Sequence, residues 1–259
     1  MTATILQYRS TKTGRASGMD GEIPELHAKA LLFMASMYHP LYVKMALRIQ
    51  EPLSFKGGLT SSFLKKRDAP PALLKSQRAI TLGQVGAKGY YKMERKRLEP
   101  ALFEHALDTQ CGGIKGRSTD FAIHTVQLFF ALAKEPVVGA MGGKQRYAHS
   151  AACIFSDLEA AFYSMVQQFV TEMPHSDEAI SSLCARLKLP SDTMHRMHAC
   201  ANEASILAKA NVSEHERKLI EESFRCRWSA LGCTDTLAVP NTGCQPGMPP
   251  VSYTHLRAH

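Results

Sequence analysis

At 259 residues, with 45% hydrophobic and 21% charged side chains, the chain is long enough for one or two domains with a real core, which excludes a disordered tail. No apolar run approaches the ~18 residues of a membrane span, and residues 1–10 lack the basic-then-apolar order of a signal peptide. Seven Cys without a Cys-x-x-Cys pair indicate neither a disulfide framework nor a zinc ribbon, so a soluble, intracellular chain with reduced thiols is expected, nuclear or cytoplasmic.

The formal net charge of +8 is unevenly spread. Residues 1–100 hold 17 Lys/Arg against 7 Asp/Glu, and the rest hold 14 against 16. The window from Lys56 to Arg97 has 11 basic and 2 acidic side chains, with Phe63, Tyr90 and Tyr91 interleaved. Such a window suits a polyanion, nucleic acid or a triphosphate; the alternative is an ordinary solvated basic face.

After a polar leader over residues 1–19, residues 25–47 carry Leu26, Ala30, Phe33, Met34, Met37, Leu41 and Met45 at helical spacing, and Pro40 predicts two helices meeting there. Ser61 to Leu64 reads as a short strand entering the basic turn Lys65-Lys66-Arg67, and Asp68-Ala69-Pro70-Pro71 forces a loop. Helical patterns cover residues 88–107 and 120–134. The second places Ala122, Ile123, Val126, Phe129, Phe130 and Leu132 mostly on one side, which predicts a core helix.

A Gly-rich basic loop over 135–150 then separates two subdomains, and residues 151–155 read as a buried strand. Helices are expected over 176–187 and 193–210. Ser213-x-x-Glu216 forms a capping box for a helix containing Leu219, Ile220 and Phe224, and residues 228–239 read as a β-hairpin. Cys153 and Cys226, in apolar surroundings, read as small core residues. His195-x-x-His198-x-Cys200 lacks the partner pair a tetrahedral metal site needs.

Several motifs follow one another in a defined order. Ile154-Phe155-Ser156-Asp157-Leu158-Glu159-Ala160-Ala161-Phe162 delivers one carboxylate after an apolar run and an aromatic ring five positions on. By itself this also describes an Asp capping a helix after a strand. Before it stand the Lys65-Lys66 pair, Arg78 in Gln77-Arg78-Ala79-Ile80-Thr81-Leu82, Lys88, Arg97-Leu98, and the block Gln110-Cys111-Gly112-Gly113-Ile114-Lys115-Gly116-Arg117-Ser118-Thr119. That block is not a P-loop, since its glycine spacing is one residue short and Arg117 stands where Lys is required. After it comes Gly243-Cys244-Gln245-Pro246-Gly247-Met248-Pro249.

In this order and at these separations the blocks resemble the reverse transcriptase domain of non-LTR (LINE-like) retrotransposons, from about Asp20 to Pro249. The resemblance implies an α+β, helix-rich fold: right-hand polymerase fingers (residues 20–134) and a partial palm (151–250) with a helical insertion and an incomplete antiparallel palm sheet. Residues 251–259 do not continue the pattern and read as a non-native tail.

By position, the resemblance makes Arg78 the fingers arginine that grips the incoming nucleotide's triphosphate, with Lys65 or Lys66 as the second phosphate contact. Gly113, Gly116, Arg117 and Ser118 belong to a template-binding loop, with glycines letting backbone approach a phosphate chain. Asp157 becomes a catalytic carboxylate, with the Leu158 carbonyl as companion ligand, for two magnesium ions (Mg2+). Phe162 takes the steric-gate position, and Tyr163 departs from the commoner Asp there. Gln245 and Gly247 would support the nascent base pair, although Pro246 displaces the glutamine by one. The implied partners are an RNA template, a DNA primer and a dNTP, with no membrane.

The family's aromatic-x-Asp-Asp hairpin is absent from the sequence. One carboxylate does not hold two ions ~3.5–4 Å apart, so the chain alone is expected to be inactive as an RNA-directed DNA polymerase. A non-catalytic maturase-like RNA-binding module and a non-functional element remnant are the rival expectations.

Overall fold

The computed structural model describes residues 1–68, 70–73, 76–112, 114, 116–134, 151–155, 167–171, 177–186, 188–232, 236–240 and 243–245. Among these the fold is α+β and helix-rich, with one small mixed sheet. No helix among the described residues is long and apolar enough to cross a membrane. The chain divides into two units, one formed by residues 1–104 with 160–259 and the other by residues 105–159.

The first unit begins inside the polar leader. Helix α1 (Thr2–Arg9) buries Tyr8 completely, and its hydroxyl meets that of Tyr42 at 2.5 Å. Helix α2 (Pro24–Lys29) starts on a proline, whose fixed φ suits the first turn, and ends at Ala30. Helix α3 (Leu31–Arg48) then runs straight through Pro40, so the break expected at Pro40 lies instead at Ala30. Pro40 removes one backbone bond, but Met34 and Ala35 before it and Tyr42 and Met45 after it are buried in one cluster. Packing of that shared face outweighs the local cost of the proline. The cluster also takes Phe55 and, from helix α4 (Val85–His105), Ala87, Tyr90 and Tyr91.

Strand β1 (Gly57–Leu64) pairs antiparallel with β2 (Gln77–Gly83) and parallel with β3 (Trp228–Leu231), and β3 pairs antiparallel with β4 (Leu237–Ala238), giving the order β2-β1-β3-β4. The 228–239 hairpin is thus as expected, and β2 is a strand the sequence reading did not assign. A second core gathers Leu98, Val170, Leu207, Val212, Ile220 and Phe224. Its helical members come from α4, α6 (Gln167–Val170), α9 (Ile206–Lys209) and α10 (Glu214–Phe224), with α7 (Asp177–Arg186) and α8 (Ser191–Asn202) between α6 and α9 in the chain. The single helix expected over 193–210 is two, because the Ser205 hydroxyl accepts the Ala208 N–H at 3.2 Å and caps a new start. The Ser213 capping box is formed: its hydroxyl accepts the Glu216 N–H at 3.3 Å and donates to Glu216 Oε2 at 2.8 Å.

In the second unit, α5 (Thr119–Lys134) forms as expected but buries none of its residues; Ile123, Phe129 and Leu132 are exposed. Its apolar stripe is therefore no core within the described residues. Residues 151–155 are not a strand, and Ile154 and Phe155 are 92% and 84% exposed. This corrects the buried strand expected ahead of Asp157: a five-residue apolar run does not fix a strand unless a sheet edge is there to pair with it, and the sheet's described strands are all elsewhere. Cys153 and Cys226 are exposed, not core; among the described residues Cys184 and Cys244 are buried, the latter pushed up to about 11 by burial.

Candidate nucleic-acid interface

The β1–β2 hairpin is where the structure brings predicted site residues together. Its residues pass from buried at Gly57 and Gly58 to exposed at Ser62, Phe63 and Leu64, so the strand leaves the core as it advances. The register sets Phe63 opposite Arg78 and Leu64 opposite Gln77, and the Lys65 N–H extends the ladder to the Ser76 carbonyl at 2.8 Å. Lys65, Lys66 and Arg67 follow in an exposed turn. Arg78, 13 residues after Lys65 in sequence, thus lies on the facing strand within two residues of the turn, also exposed. None of these four cations makes an ion pair among the described residues. A turn of lysines opposite a fork-shaped guanidinium, beside the half-exposed Phe63 ring, can take several phosphate oxygens and one stacked base.

The other basic-window residues do not all join it. Lys56 is buried and donates to the Glu222 carboxylate at 2.6 Å and to the Glu222 carbonyl at 3.0 Å. Tyr90 and Tyr91 are each 1% exposed and pack edge to face, so of the aromatics expected to interleave with the cations these two are core and Phe63 is not. Lys88, singled out in the sequence, belongs to a row with Lys92 and Lys96 whose spacing of four on α4 was legible but went unread. Lys88 and Lys92 are held below the usual ammonium range, mainly by partial burial. Neighbouring cations add to this: Lys92 for Lys88, and Lys12 and Lys96 for Lys92.

In the 110–119 block, Gly116 has φ +84, a backbone conformation glycine adopts without strain, and nothing lies within 4 Å of the Cβ it lacks. Arg117 donates to the carbonyls of Leu107 and of Gln110, the latter at 3.0 Å. Both bonds use Nη1 and tie the half-exposed guanidinium to the loop's own backbone. Ser118 is exposed just before α5, and Gly113 lies outside the described residues.

Gln245 is 6% exposed, and its Nε2 donates to the Trp228 carbonyl at 2.9 Å and the Ser229 hydroxyl at 2.8 Å, fastening the 243–245 segment to β3. Both bonds use Nε2, while Oε1 is buried with no hydrogen-bond partner among the described residues. Asp157, Leu158, Phe162 and Gly247 lie outside the described residues. Among the described residues no group of three or more His, Cys, Asp or Glu is placed to hold a metal.

No protein-family model matches the chain, and no curated protein matches it significantly.

Proposed function

We propose that the chain is a fingers and partial-palm segment of a non-LTR-type reverse transcriptase, and that its own work is to grip phosphates of template, primer and incoming dNTP through the β1–β2 hairpin. The observation that carries this reading is the convergence of Lys65, Lys66 and Arg78 at one exposed hairpin end, since the resemblance named those residues from separate blocks. Magnesium (Mg2+), where bound in such an enzyme, activates the primer hydroxyl and neutralises pyrophosphate. Asp157 is the carboxylate the resemblance assigns to it, and residues 1–259 include no aromatic-x-Asp-Asp pair to set beside it.

The test is fluorescence anisotropy of a labelled RNA–DNA template-primer between 50 and 200 mM salt, for the chain and for Lys65→Gln, Lys66→Gln and Arg78→Gln. Each lost phosphate contact lowers the slope of log K against log salt by about 1, so the triple variant loses about 2 to 3. An unchanged slope in the triple variant would overturn the assignment.

A further inference from the structure

We propose that the pocket between α1, α3 and α4 binds an amphipathic anion: an apolar chain or ring of modest size ending in one carboxylate or sulfonate head. This inference does not depend on the nucleic-acid reading, and every residue it uses belongs to the unit formed by residues 1–104 and 160–259.

The cavity has a volume of about 550 Å³, inside the range of small-molecule sites. Its polarity is graded. Tyr42 and Tyr90, 3% and 1% exposed, close the floor. Leu6, Val43 and Leu47 line it further out and are 52%, 42% and 76% exposed, so a concentration of apolar surface is left uncovered at one concavity. An apolar body entering there removes that surface from water at roughly 25 cal/mol per Å².

The charge at the opening selects the head group. Lys96 and Arg97 both line the pocket and are exposed. Lys96 makes no ion pair among the described residues. Arg97 has one, a long 3.5 Å contact from Nη1 to Glu94 Oε1, which leaves donors of its fork available. Glu94, the acidic residue of the lining, is 8% exposed, and burial raises its carboxyl above the usual range despite Arg97. One carboxyl, in contact with Arg97, stands against two cations there. The balance at the opening is therefore positive, against an apolar interior.

The test uses 1-anilinonaphthalene-8-sulfonate as a fluorescent occupant and three ten-carbon competitors, decanoate, decanol and decyltrimethylammonium, all below their micellar concentrations. One charge-assisted contact is worth about tenfold in affinity, so decanoate is expected to displace the dye at about one-tenth the concentration decanol needs, with the ammonium weakest. Lys96→Gln with Arg97→Gln erases that preference and leaves decanol unchanged. Ala46→Trp fills the cavity and removes the decanoate-displaceable fraction at unchanged helix content. Val43→Phe is the second blocking variant should Ala46→Trp not fold. Equal displacement by decanoate and decanol, or a displaceable fraction that survives a folded blocking variant, would overturn the proposal. So would the absence of any displaceable fraction, as expected if the surface takes only a macromolecule.

Discussion

Replacing Glu51 by Gln should stabilise the protein at pH 8 and leave it nearly unchanged at pH 4.5. Glu51 is 6% exposed; its Oε2 accepts the Tyr91 hydroxyl at 2.6 Å, and its Oε1 has no hydrogen-bond partner among the described residues. Lys56 lies near enough to favour the charged form but is already bonded to Glu222. Burial dominates and pushes the carboxyl from 4.5 up to about 7, against the opposing pull of Tyr91 and Lys56. The folded state thus holds this proton more tightly than the unfolded chain does. The associated stability is fully present below the unfolded value near 4.5 and is lost as pH rises through about 7. At 1.36 kcal/mol per pH unit the gap from 4.5 to about 7 corresponds to about 3 kcal/mol. A glutamine at 51 keeps an acceptor for Tyr91 and never ionises. Urea unfolding followed by the fluorescence of Trp228, the single tryptophan, reads the difference between wild type and variant at both pH values. A difference that does not change with pH, or a variant less stable than wild type at pH 8, would refute the reasoning.

Two further substitutions test the packing. Gly57→Ala would set a Cβ 2.2 Å from the Trp228 carbonyl oxygen and 2.4 Å from its ring, so β1 and β3 must part; a loss of about 2 kcal/mol or more is expected in the same unfolding assay, and an unchanged midpoint would refute the β1–β3 register. Ser213→Ala removes the cap of α10 and should cost about 1 kcal/mol, while Ser213→Gly should cost only a few tenths; an unchanged stability in Ser213→Ala would mean that the hydroxyl does not cap.

What the sequence made legible was local. The capping box at Ser213, the β3–β4 hairpin and the strand running into Lys65 each carry their cause within a few residues. What misled was information that lives in partners distant along the chain. Pro40 predicts a break until the burial of Tyr42 and Met45 beyond it is known. Tyr90 and Tyr91 look like stacking platforms among cations because the sequence does not say that α1 and α3 cover them. Lys56 counts as one more free charge until Glu222, 166 residues away, is set beside it. Arg117 counts as a charge facing outward until the carbonyls of Leu107 and Gln110 are seen to take its Nη1. The convergence of Lys65 with Arg78 was not legible from spacing at all, because it follows from a register that only the pairing of β1 with β2 fixes.

That register also bears on why the hairpin ends in cations. β3 pairs with residues 57–60 of β1, whereas β2 pairs with 58–64, so the last four residues of β1 stand beyond the four-stranded part of the sheet. At about 3.3 Å per residue the two-stranded ribbon extends roughly 13 Å. Its base is held firmly, by Lys56 on Glu222 and by the Trp228 indole N–H donating to the Leu53 carbonyl at 2.7 Å. A projecting ribbon with an unpaired edge invites edge-to-edge association, and charge at its end is a common protection. Protection, however, is indifferent to sign: carboxylates repel a second copy as well as ammonium groups do. Among the described residues, the exposed positions around this end hold Lys65, Lys66, Arg67 and Arg78 against Asp68 alone. The bias toward one sign is what edge protection leaves unexplained and what a phosphate-bearing partner requires.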